Sequence, residues 1–410
     1  MSLDAPAEDN HFLAHCVMGI PSSEMMIPYP SIRSLLDSQL RRYGERRFIS
    51  FTDESGSAAE LSYSQFFTRV CRTANFLESE GADFGQHLLI PLADDLDILT
   101  ELFATWMIGA VAVLPSTSDA PHSVAQEFPD ADMLFPELGN LTDAIAGHSK
   151  EYQIGVKSKL SDDSLIYQTI NKSGTKRSVV FSHYNLLVNA MAISSSLNLP
   201  DDQAVACCLP LRDISALAGC IMSALYAGSP LILGSHEESE NLPRARWDED
   251  VVCLFTDVWR SESILDGCHN PDYLISPHTG LSPRRVKQHY EQTGIPIITG
   301  LSLPEITSFG TLLPLSRSPS DHSGWFSQKD RLPLGLPLQP VEITVMDDDG
   351  SELPPGEAGQ LTVRGHSVMR GYLNDEASTD EVFRFGWLNT EERGFYELQP
   401  DGKRFFTLIS

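Results

Sequence analysis

The stretch that decides the fold runs from Pro355 to Ser410 and reads PGEAGQLTVRGHSVMRGYLNDEASTDEVFRFGWLNTEERGFYELQPDGKRFFTLIS. Glycines and other turn-forming residues separate short apolar runs such as GQLTVRG, RFGWLNT, GFYEL and KRFFTLIS. Short apolar runs between turn residues are typical of strands in a small sheet. The pattern therefore predicts a turn-rich β subdomain, which we place at residues 331–410.

The chain before this stretch alternates between strand patterns and helix patterns. SIRSLLDSQLRRYG has apolar residues at helical spacing and ends in Gly44, and SQFFTRVCRTANFLESEGA and DLDILTELFATWMIGA are further helix patterns. HLLIPLA, VAVLP, SLIYQTI, AVACCLPL, SPLILG, VVCLF, PDYLIS and IPIITG are compact apolar runs of strand length. Such alternation favours mostly parallel sheets with helices on both faces. We expect a leader at 1–28, a first α/β subdomain at 29–160 and a second at 161–330.

Composition and charge exclude several classes of function. With 41% hydrophobic residues the chain has the composition of a globular protein, and its formal net charge is −27. Binding to nucleic acid or to anionic membranes relies on Lys and Arg, so this charge argues against both kinds of partner. The first residues lack a basic signal-like start and no apolar run is long enough for a membrane span. We therefore expect a cytoplasmic protein.

The cysteines indicate neither a disulfide framework nor a zinc site. Their number, seven, is odd, and no C-x-x-C pair occurs. Several lie in apolar runs such as AVACCLPL and VVCLF. Reduced cysteines packed in a core are the expected outcome.

The C-terminal stretch as a whole resembles the end of the large N-terminal domain of adenylate-forming enzymes, the superfamily of acyl-CoA synthetases, luciferases and peptide-synthetase adenylation domains. That family shows GE-x-G-E-L-x-V-x-G, then GY, then GW-x-x-TGD-x-G, and its opening is similar to LSYSQF and WMIGAVAVLP here. The resemblance implies an α/β fold with two αβαβα-type subdomains, mostly parallel sheets and a small C-terminal β-barrel-like subdomain. It also implies that the family's hinge and C-terminal lid domain, which carries a catalytic Lys, are absent from this chain.

The resemblance implies a phosphate-binding loop within residues 164–187, SLIYQTINKSGTKRSVVFSHYNLL. In the family, loop glycines let backbone N–H groups surround the ATP phosphates while hydroxyls and a Lys add donors. The residues carried over are Ser173, Gly174, Thr175, Lys176 and Arg177. The loop is shorter than the family's and has fewer glycines. The alternative is therefore a plain connection between two strands whose basic residues face water.

The resemblance implies a substrate pocket formed by three further segments. LPLRDISALAG contributes Arg212 and Asp213, LISPHTGLSP contributes His278 and Gly280, and IPIITGLSLPE contributes Gly300 and Leu301. Arg212 could meet a substrate carboxylate through a bidentate contact. The alternative is a solvated turn in which Asp213 or Ser215 caps the next helix.

The resemblance also implies a metal ligand and a ribose contact. Glu305 stands at the family's Mg²⁺-binding Glu, but Pro304 replaces a phosphate-binding Thr and cannot donate a hydrogen bond. Glu392 stands at the Asp that accepts hydrogen bonds from the ribose hydroxyls, and Glu391 replaces the neighbouring Gly, adding bulk and negative charge. We therefore expect use of ATP and Mg²⁺ that is weakened or lost.

Two hypotheses about function follow. The first is a ligase-like protein that activates a carboxylic acid with Mg·ATP to an acyl-adenylate and then forms a thioester, with impaired use of ATP. Its partners would be a small carboxylic acid or acyl thioester, with CoA, a carrier protein or a separate lid-bearing protein. The alternative is a non-adenylating pseudoenzyme that binds an acyl or aryl ligand or a partner protein, or runs an ATP-independent reaction. An unrelated dinucleotide-binding protein is set aside because no strand is followed by G-x-G-x-x-G.

Overall fold

The computed structural model describes residues 7–24, 27–52, 57–90, 95–115, 126–134, 141–153, 155–171, 174–234, 250–257, 271–277, 281–315, 324–327 and 331–409. Within these ranges no helix combines the length and apolar character needed to cross a membrane.

The three helices that the sequence analysis predicts from apolar spacing are present, at 32–43, 63–79 and 95–108, and the structure has further α-helices. The α-helices are α1 Ala7–Ala14, α2 Ile32–Tyr43, α3 Tyr63–Ser79, α4 Asp95–Ile108, α5 Leu141–Ile145, α6 His183–Ser196, α7 Met222–Ala227, α8 Pro283–Thr293 and α9 Glu376–Val382. Helix α2 ends at Gly44 as predicted, and α3 begins at a capping box between Ser62 and Gln65. A π-helical stretch, Ser215–Ile221, leads directly into α7.

The strands fall into three large sheets and one small hairpin. They are β1 Cys16–Val17, β2 Ile20–Pro21, β3 Arg47–Thr52, β4 Ala58–Ser62, β5 His87–Leu89, β6 Val111–Leu114, β7 Asp163–Ile170, β8 Lys176–Ser182, β9 Ala204–Cys207, β10 Leu231–Leu233, β11 Val251–Phe255, β12 Tyr273–Pro277, β13 Ile297–Gly300, β14 Thr311–Leu312, β15 Arg331–Pro337, β16 Val341–Met346, β17 Gly359–Gly365, β18 Gly371–Tyr372, β19 Phe383–Arg384, β20 Trp387–Leu398 and β21 Arg404–Ile409.

The first two sheets exchange strands between the two halves of the chain. The sheet β18-β8-β7-β6-β5 combines early strands with β7, β8 and the late strand β18. The sheet β13-β12-β11-β9-β10-β3-β4 takes β3 and β4 from the start of the chain. Strand β3 pairs parallel with β10 and antiparallel with β4, so a long return connection closes this sheet. Neither sheet is therefore continuous in sequence.

The third sheet is built mostly from strands of the turn-rich C-terminal stretch, but it does not have the barrel-like shape that the resemblance implies. Its order is β14-β15-β21-β20-β17-β16, with β19 added on β20. The pairings described here are antiparallel, and no described hydrogen bonds join the two ends of this order, β14 and β16. The sheet is consequently open and not a closed barrel.

Residues 7–24, within the segment expected to be a leader, form structure against this third sheet. Helix α1 contacts β17, β19 and β20, and the β1–β2 hairpin contacts β17. Gly386 lies so close to α1 that a Cβ there would be 2.9 Å from the Leu13 side chain. The N-terminal segment is therefore packed onto the C-terminal subdomain.

The core is large and apolar. Helix α4 is buried over nearly its whole length, and the strands β6, β9, β11 and β12 are buried throughout. Six of the cysteines are described, and all six are buried: Cys16, Cys71, Cys207, Cys208, Cys220 and Cys253.

Candidate functional site

A cavity of about 770 Å³ opens where the first sheet, the second sheet and the third sheet meet. Its walls come from the end of β7, the start of β8, the turn after β9, the loop after β13, strand β18 and the middle of β20. Its polar lining residues include Tyr167, Arg177, Arg212, Asp213, Ser215, Asp257, Ser302, Glu305, Tyr372, Asn389, Glu391 and Glu392. Both cationic and anionic side chains therefore face one cavity.

Glu305, Tyr372 and Arg177 form the centre of this cavity. The Tyr372 hydroxyl donates to Glu305 Oε1 over 3.0 Å, and Arg177 Nη1 donates to the Tyr372 oxygen over 3.5 Å. The Arg177 guanidinium also lies 5.0 Å from the centroid of the Tyr372 ring, a cation–π distance. Burial raises the pKa of Glu305, and the hydrogen bond from Tyr372 opposes that rise. Glu305 is thus a partly buried carboxylate that is fixed in orientation.

The backbone beside Glu305 is strained. A short 3₁₀ helix, Pro304–Ile306, ends at Thr307, whose φ is +71° and ψ −39°. A β-branched residue rarely adopts such a conformation, and the cost is on the order of 1–3 kcal/mol. Thr307 is fully buried, and its Oγ1 donates to the Ser367 carbonyl over 2.6 Å. That hydrogen bond helps to hold the strained turn.

A hydrogen bond from Tyr167 stabilises the turn after β9. The Tyr167 hydroxyl donates to the Arg212 carbonyl over 2.6 Å, and burial raises the pKa of this hydroxyl. Asp213 Oδ1 accepts from the Ser215 N–H over 2.8 Å at the start of the π-helical stretch. Burial raises the pKa of Asp213, while the hydrogen bonds from Ser215 lower it. The turn therefore presents an exposed Arg212 and a half-buried Asp213 to the cavity.

Lys176 and Arg177 point to opposite faces of the first sheet, because neighbouring residues of a strand alternate. Strand β8 begins at Lys176, so these residues belong to a strand rather than to the predicted loop. Lys176 Nζ lies 2.6 Å from Glu127 Oε1, and Gln168 donates to the same carboxylate. The hydrogen bond from Lys176 lowers the pKa of Glu127. Arg177 lines the cavity, whereas Lys176 is bound on the other face.

The connection between β7 and β8 is closed by its own backbone. The Asn171 N–H donates to the Thr175 carbonyl over 3.0 Å, and Asn171 Oδ1 accepts from the Thr175 N–H over 2.8 Å. Gly174 has φ +84°, a conformation that favours glycine. Ser173, the first residue of the expected phosphate loop, lies outside the described residues.

The expected ribose contact lies at a bulge in β20. Thr390 Oγ1 donates to the Leu361 carbonyl over 2.7 Å, and the buried Glu392 is held through its backbone by Thr390 and Gln360. Glu391 has φ +59°, the left-handed conformation for which the family's glycine is suited. Glu391 therefore has a backbone conformation that glycine adopts at lower cost.

The structure brings five of the expected site residues to the cavity: Arg177, Arg212, Asp213, Glu305 and Glu392. Five others do not line it: Gly174, Thr175, Lys176, Gly300 and Leu301. The remaining three, Ser173, His278 and Gly280, lie outside the described residues. The assignment of a role to each of these residues remains a prediction.

Gly300 and Leu301 have packing explanations. A Cβ on Gly300 would lie 1.9 Å from the Thr311 carbonyl oxygen, so no other residue fits there without moving the backbone. Leu301 is fully buried in the core, and its N–H donates to Thr311 Oγ1 over 2.8 Å. Both residues therefore shape the strand that precedes Glu305.

Sequence reasoning missed Tyr372, Tyr167 and Ser302 as cavity residues. Tyr372 belongs to the GY pair, which served only to identify the resemblance, and Tyr167 lies in a strand whose alternation places it on the Arg177 face. Ser302 faces Ser215, with the two hydroxyl oxygens 3.0 Å apart. Only the period-2 pattern of SLIYQTI could have indicated one of them in advance.

Comparison with known proteins gives similarities in both sequence and fold. A family model described as "AMP-binding enzyme" matches residues 268–373. A 2-succinylbenzoate–CoA ligase from Bacillus licheniformis is 24% identical over 359 residues, covering 82% of this chain and 72% of that protein.

Two solved structures share the fold. The McyG A-PCP structure with phenylalanyl-adenylate superimposes with a TM-score of 0.77 at 17% identity, covering 93% of this chain and 66% of that one. The N-terminal domain of FACL13 from Mycobacterium tuberculosis gives a TM-score of 0.77 at 16% identity, covering 92% of this chain and 99% of that one. This chain therefore spans about two thirds of the McyG chain and nearly all of the FACL13 domain.

Proposed function

Because this chain belongs to the adenylate-forming superfamily, we propose that its central cavity binds a carboxylic acid together with Mg·ATP and joins them as an acyl-adenylate. Thioester formation with CoA or a carrier protein would follow. The observation that carries the proposal is the convergence of Arg177, Glu305 and Glu392 on one cavity of about 770 Å³. Cavities of this size accommodate ligands as large as a nucleotide.

The residues present fit a Mg²⁺-bound triphosphate. Mg²⁺ typically uses one or two carboxylates together with phosphate oxygens, and it would neutralise charge on the phosphates when bound. The Glu305 carboxylate is already oriented by Tyr372 and could serve as the protein ligand. Arg177 supplies a guanidinium for a phosphate oxygen, and Glu392 stands where a ribose contact is expected.

The acid would lie at the turn after β9. Arg212 is exposed there, and its backbone is fixed by the hydrogen bond from Tyr167 and by the hydrogen bond between Asp213 and Ser215. A guanidinium on a fixed turn can pair with a carboxylate through two parallel hydrogen bonds. We propose Arg212 for this contact, either with the reacting carboxylate or with a second acidic group of the substrate.

Weakened use of ATP is part of the proposal. Lys176 is engaged by Glu127 on the opposite face of the sheet, so only Arg177 of the pair faces the cavity. Glu391 adds a carboxylate beside the phosphate region, and like charges there would disfavour a triphosphate. These two observations also favour the second candidate, a pseudoenzyme that binds an acyl or aryl acid without forming an adenylate.

Isothermal titration and pyrophosphate exchange test the proposal. Mg·ATP should bind the wild-type chain, and a panel of aryl and aliphatic acids should contain one that promotes ATP–pyrophosphate exchange. Glu305→Gln, which removes the charge but keeps the shape, should weaken Mg²⁺-dependent ATP binding by roughly 100-fold. The exposed Glu381→Gln is the matched control and should bind as the wild type does. Binding of an acid with no binding of Mg·ATP would replace the proposal with the second candidate.

A further inference from the structure

Residues 366–372, which we call the anchor segment, hold the Glu305 loop from one side. The Met369 N–H donates to the Glu305 carbonyl over 2.8 Å, and the Tyr372 hydroxyl donates to the Glu305 carboxylate over 3.0 Å. Backbone and side chain of Glu305 are thus both fixed by one short segment. If the anchor segment moved, the carboxylate would lose its orientation.

The anchor segment also restrains the strained turn beside Glu305. The Ser367 carbonyl accepts from Thr307 Oγ1, and Thr307 has φ +71°. A conformation of this kind persists only where the surrounding contacts determine it. The turn would relax if Ser367 were free to move, so the position of the anchor segment is decisive for this loop.

The other side of the anchor segment is held by the N-terminal helix. His15 Nε2 lies 2.8 Å from the Met369 carbonyl oxygen, and His11 Nε2 lies 2.8 Å from the Arg370 carbonyl oxygen. Both imidazole rings also pack against Phe383. Met369 therefore connects the two sides directly, because its carbonyl faces His15 and its N–H bonds Glu305.

A third histidine fastens the β1–β2 hairpin to the same segment. His366 Nε2 lies 3.0 Å from the Ile20 carbonyl oxygen, and His366 Nδ1 lies 2.8 Å from the Tyr184 hydroxyl. Hydrogen bonds to backbone carbonyls thus join the N-terminal residues to the anchor segment at both ends of residues 11–20. A continuous series of hydrogen bonds therefore runs from the N-terminal residues through Met369 to Glu305 in the cavity.

We infer that residues 7–21 act as a positioning element of the candidate site, and that His15 is its main positioning residue through the Met369 carbonyl. The inference rests on the proposed role of Glu305, which it deepens. His15 does not touch the cavity. It acts by fixing the backbone that orients the Glu305 carboxylate.

The two ring nitrogens of His15 allow this role to be separated from simple packing. Nδ1 lies 2.7 Å from the His11 carbonyl oxygen within the same helix, whereas Nε2 faces Met369. A glutamine amide nitrogen can occupy the position of Nε2, and an asparagine amide nitrogen that of Nδ1. His15→Gln therefore keeps a donor toward Met369, and His15→Asn keeps only the contact within the helix.

Hydrogen exchange measured by mass spectrometry is the direct test, and it needs no nucleotide. His15→Asn should speed exchange by roughly tenfold in peptides covering residues 302–309 and 366–372, while His15→Gln stays close to wild type. His289→Ala, which removes an imidazole whose Nε2 lies 3.1 Å from Thr293 Oγ1 within α8, is the control and should leave those peptides unchanged. The inference is overturned if faster exchange is confined to residues 7–24, or if His15→Asn and His15→Gln change the exchange rates of these peptides equally.

Titration with Mg·ATP gives the second readout. His15→Asn should weaken Mg·ATP binding by about three- to tenfold and leave binding of the acid alone unchanged, and His15→Gln should restore the affinity. Equal loss in both variants would contradict a role through Met369. If the wild type binds no Mg·ATP, the proposed function fails, and the exchange result still decides whether His15 orders the Glu305 loop.

Discussion

The two walls of the cavity are secured in different ways. The wall that carries Glu305 depends on side chains and backbone from distant parts of the chain, reaching Tyr372 and, through Met369, His15. The wall formed by β7 and β8 is a local hairpin held by strand pairing and by Asn171. The orientation of the Glu305 carboxylate is thus fixed by residues distant in sequence. The position of Arg177, in contrast, is set by the pairing of β8 with the neighbouring strand β7.

The largest expected effect is at Asn185, a buried residue that supports the Glu305 wall. Its amide donates to the His366 and Val368 carbonyls over 2.9 and 3.0 Å and accepts from the Ser182 N–H over 2.9 Å. Asn185→Ala removes three hydrogen bonds from buried groups, so we expect unfolding in urea to show a loss of about 3–4 kcal/mol in the free energy of unfolding. The half-exposed Asn75→Ala is the control, with about 1 kcal/mol expected. A loss below that of the control would show that the anchor segment is held by other contacts.

The second test concerns His183, the first residue after the hairpin wall. Burial lowers its pKa to about 4, and only Asp162 opposes this effect. Between pH 6.5 and about 4 the unfolded chain binds a proton that the folded chain does not, so acidification removes stability. The expected loss over this interval is about 3 kcal/mol. Unfolding at a series of pH values should show it, and in His183→Gln the same part of the profile should be flatter.

The hairpin wall predicts unequal roles for its two cations. Arg177→Ala should weaken binding of Mg·ATP by roughly tenfold or more, because a charged hydrogen bond to a phosphate is lost. Lys176→Ala should change the affinity by less than about threefold, because Lys176 is paired with Glu127 and does not line the cavity. Titration calorimetry on both variants measures the difference. A larger effect of Lys176→Ala would contradict the alternation of the two side chains.

The smallest expected effect is at Glu391, on strand β20. Its left-handed conformation, with φ +59°, costs about 1–2 kcal/mol relative to glycine, partly offset by glycine's greater entropy in the unfolded state. Glu391→Gly should therefore raise the free energy of unfolding by about 0.5–1 kcal/mol. Glu397→Gly, an exposed site on the same strand, should lower it by about 0.5–1 kcal/mol. Thermal or urea unfolding measures both variants. If Glu391→Gly and Glu397→Gly changed the free energy of unfolding in the same direction, the left-handed conformation of Glu391 would not be a source of strain.

Local patterns explain how much of the fold could be predicted. Helices α2 and α3 carry apolar stripes and end signals in their own sequences, and the strands of the second sheet are compact apolar runs. The turn residues of the C-terminal stretch predicted its short strands, and the family resemblance added the barrel-like shape. The barrel-like shape is not found, because neither the resemblance nor the turn spacing determines whether the edges of this sheet meet.

The site was less predictable, because its geometry depends on pairs that are distant in sequence. Nothing near Lys176 indicates that Glu127 engages it from the other face of the sheet. Nothing near Glu305 indicates that Tyr372 orients its carboxylate. Motifs gave residue types at the right places, but the direction of each side chain is set by tertiary contacts.

The parallel pairing of Ile49 with Leu231 has a consequence for synthesis. Ribosomes add about 5–20 residues per second, so the β3–β4 hairpin emerges on the order of ten seconds before the strand that will cover it. During that interval its apolar edge is open to other nascent chains. We expect folding of this protein in the cell to depend on chaperones that shield the early hairpin until β10 has left the ribosomal tunnel.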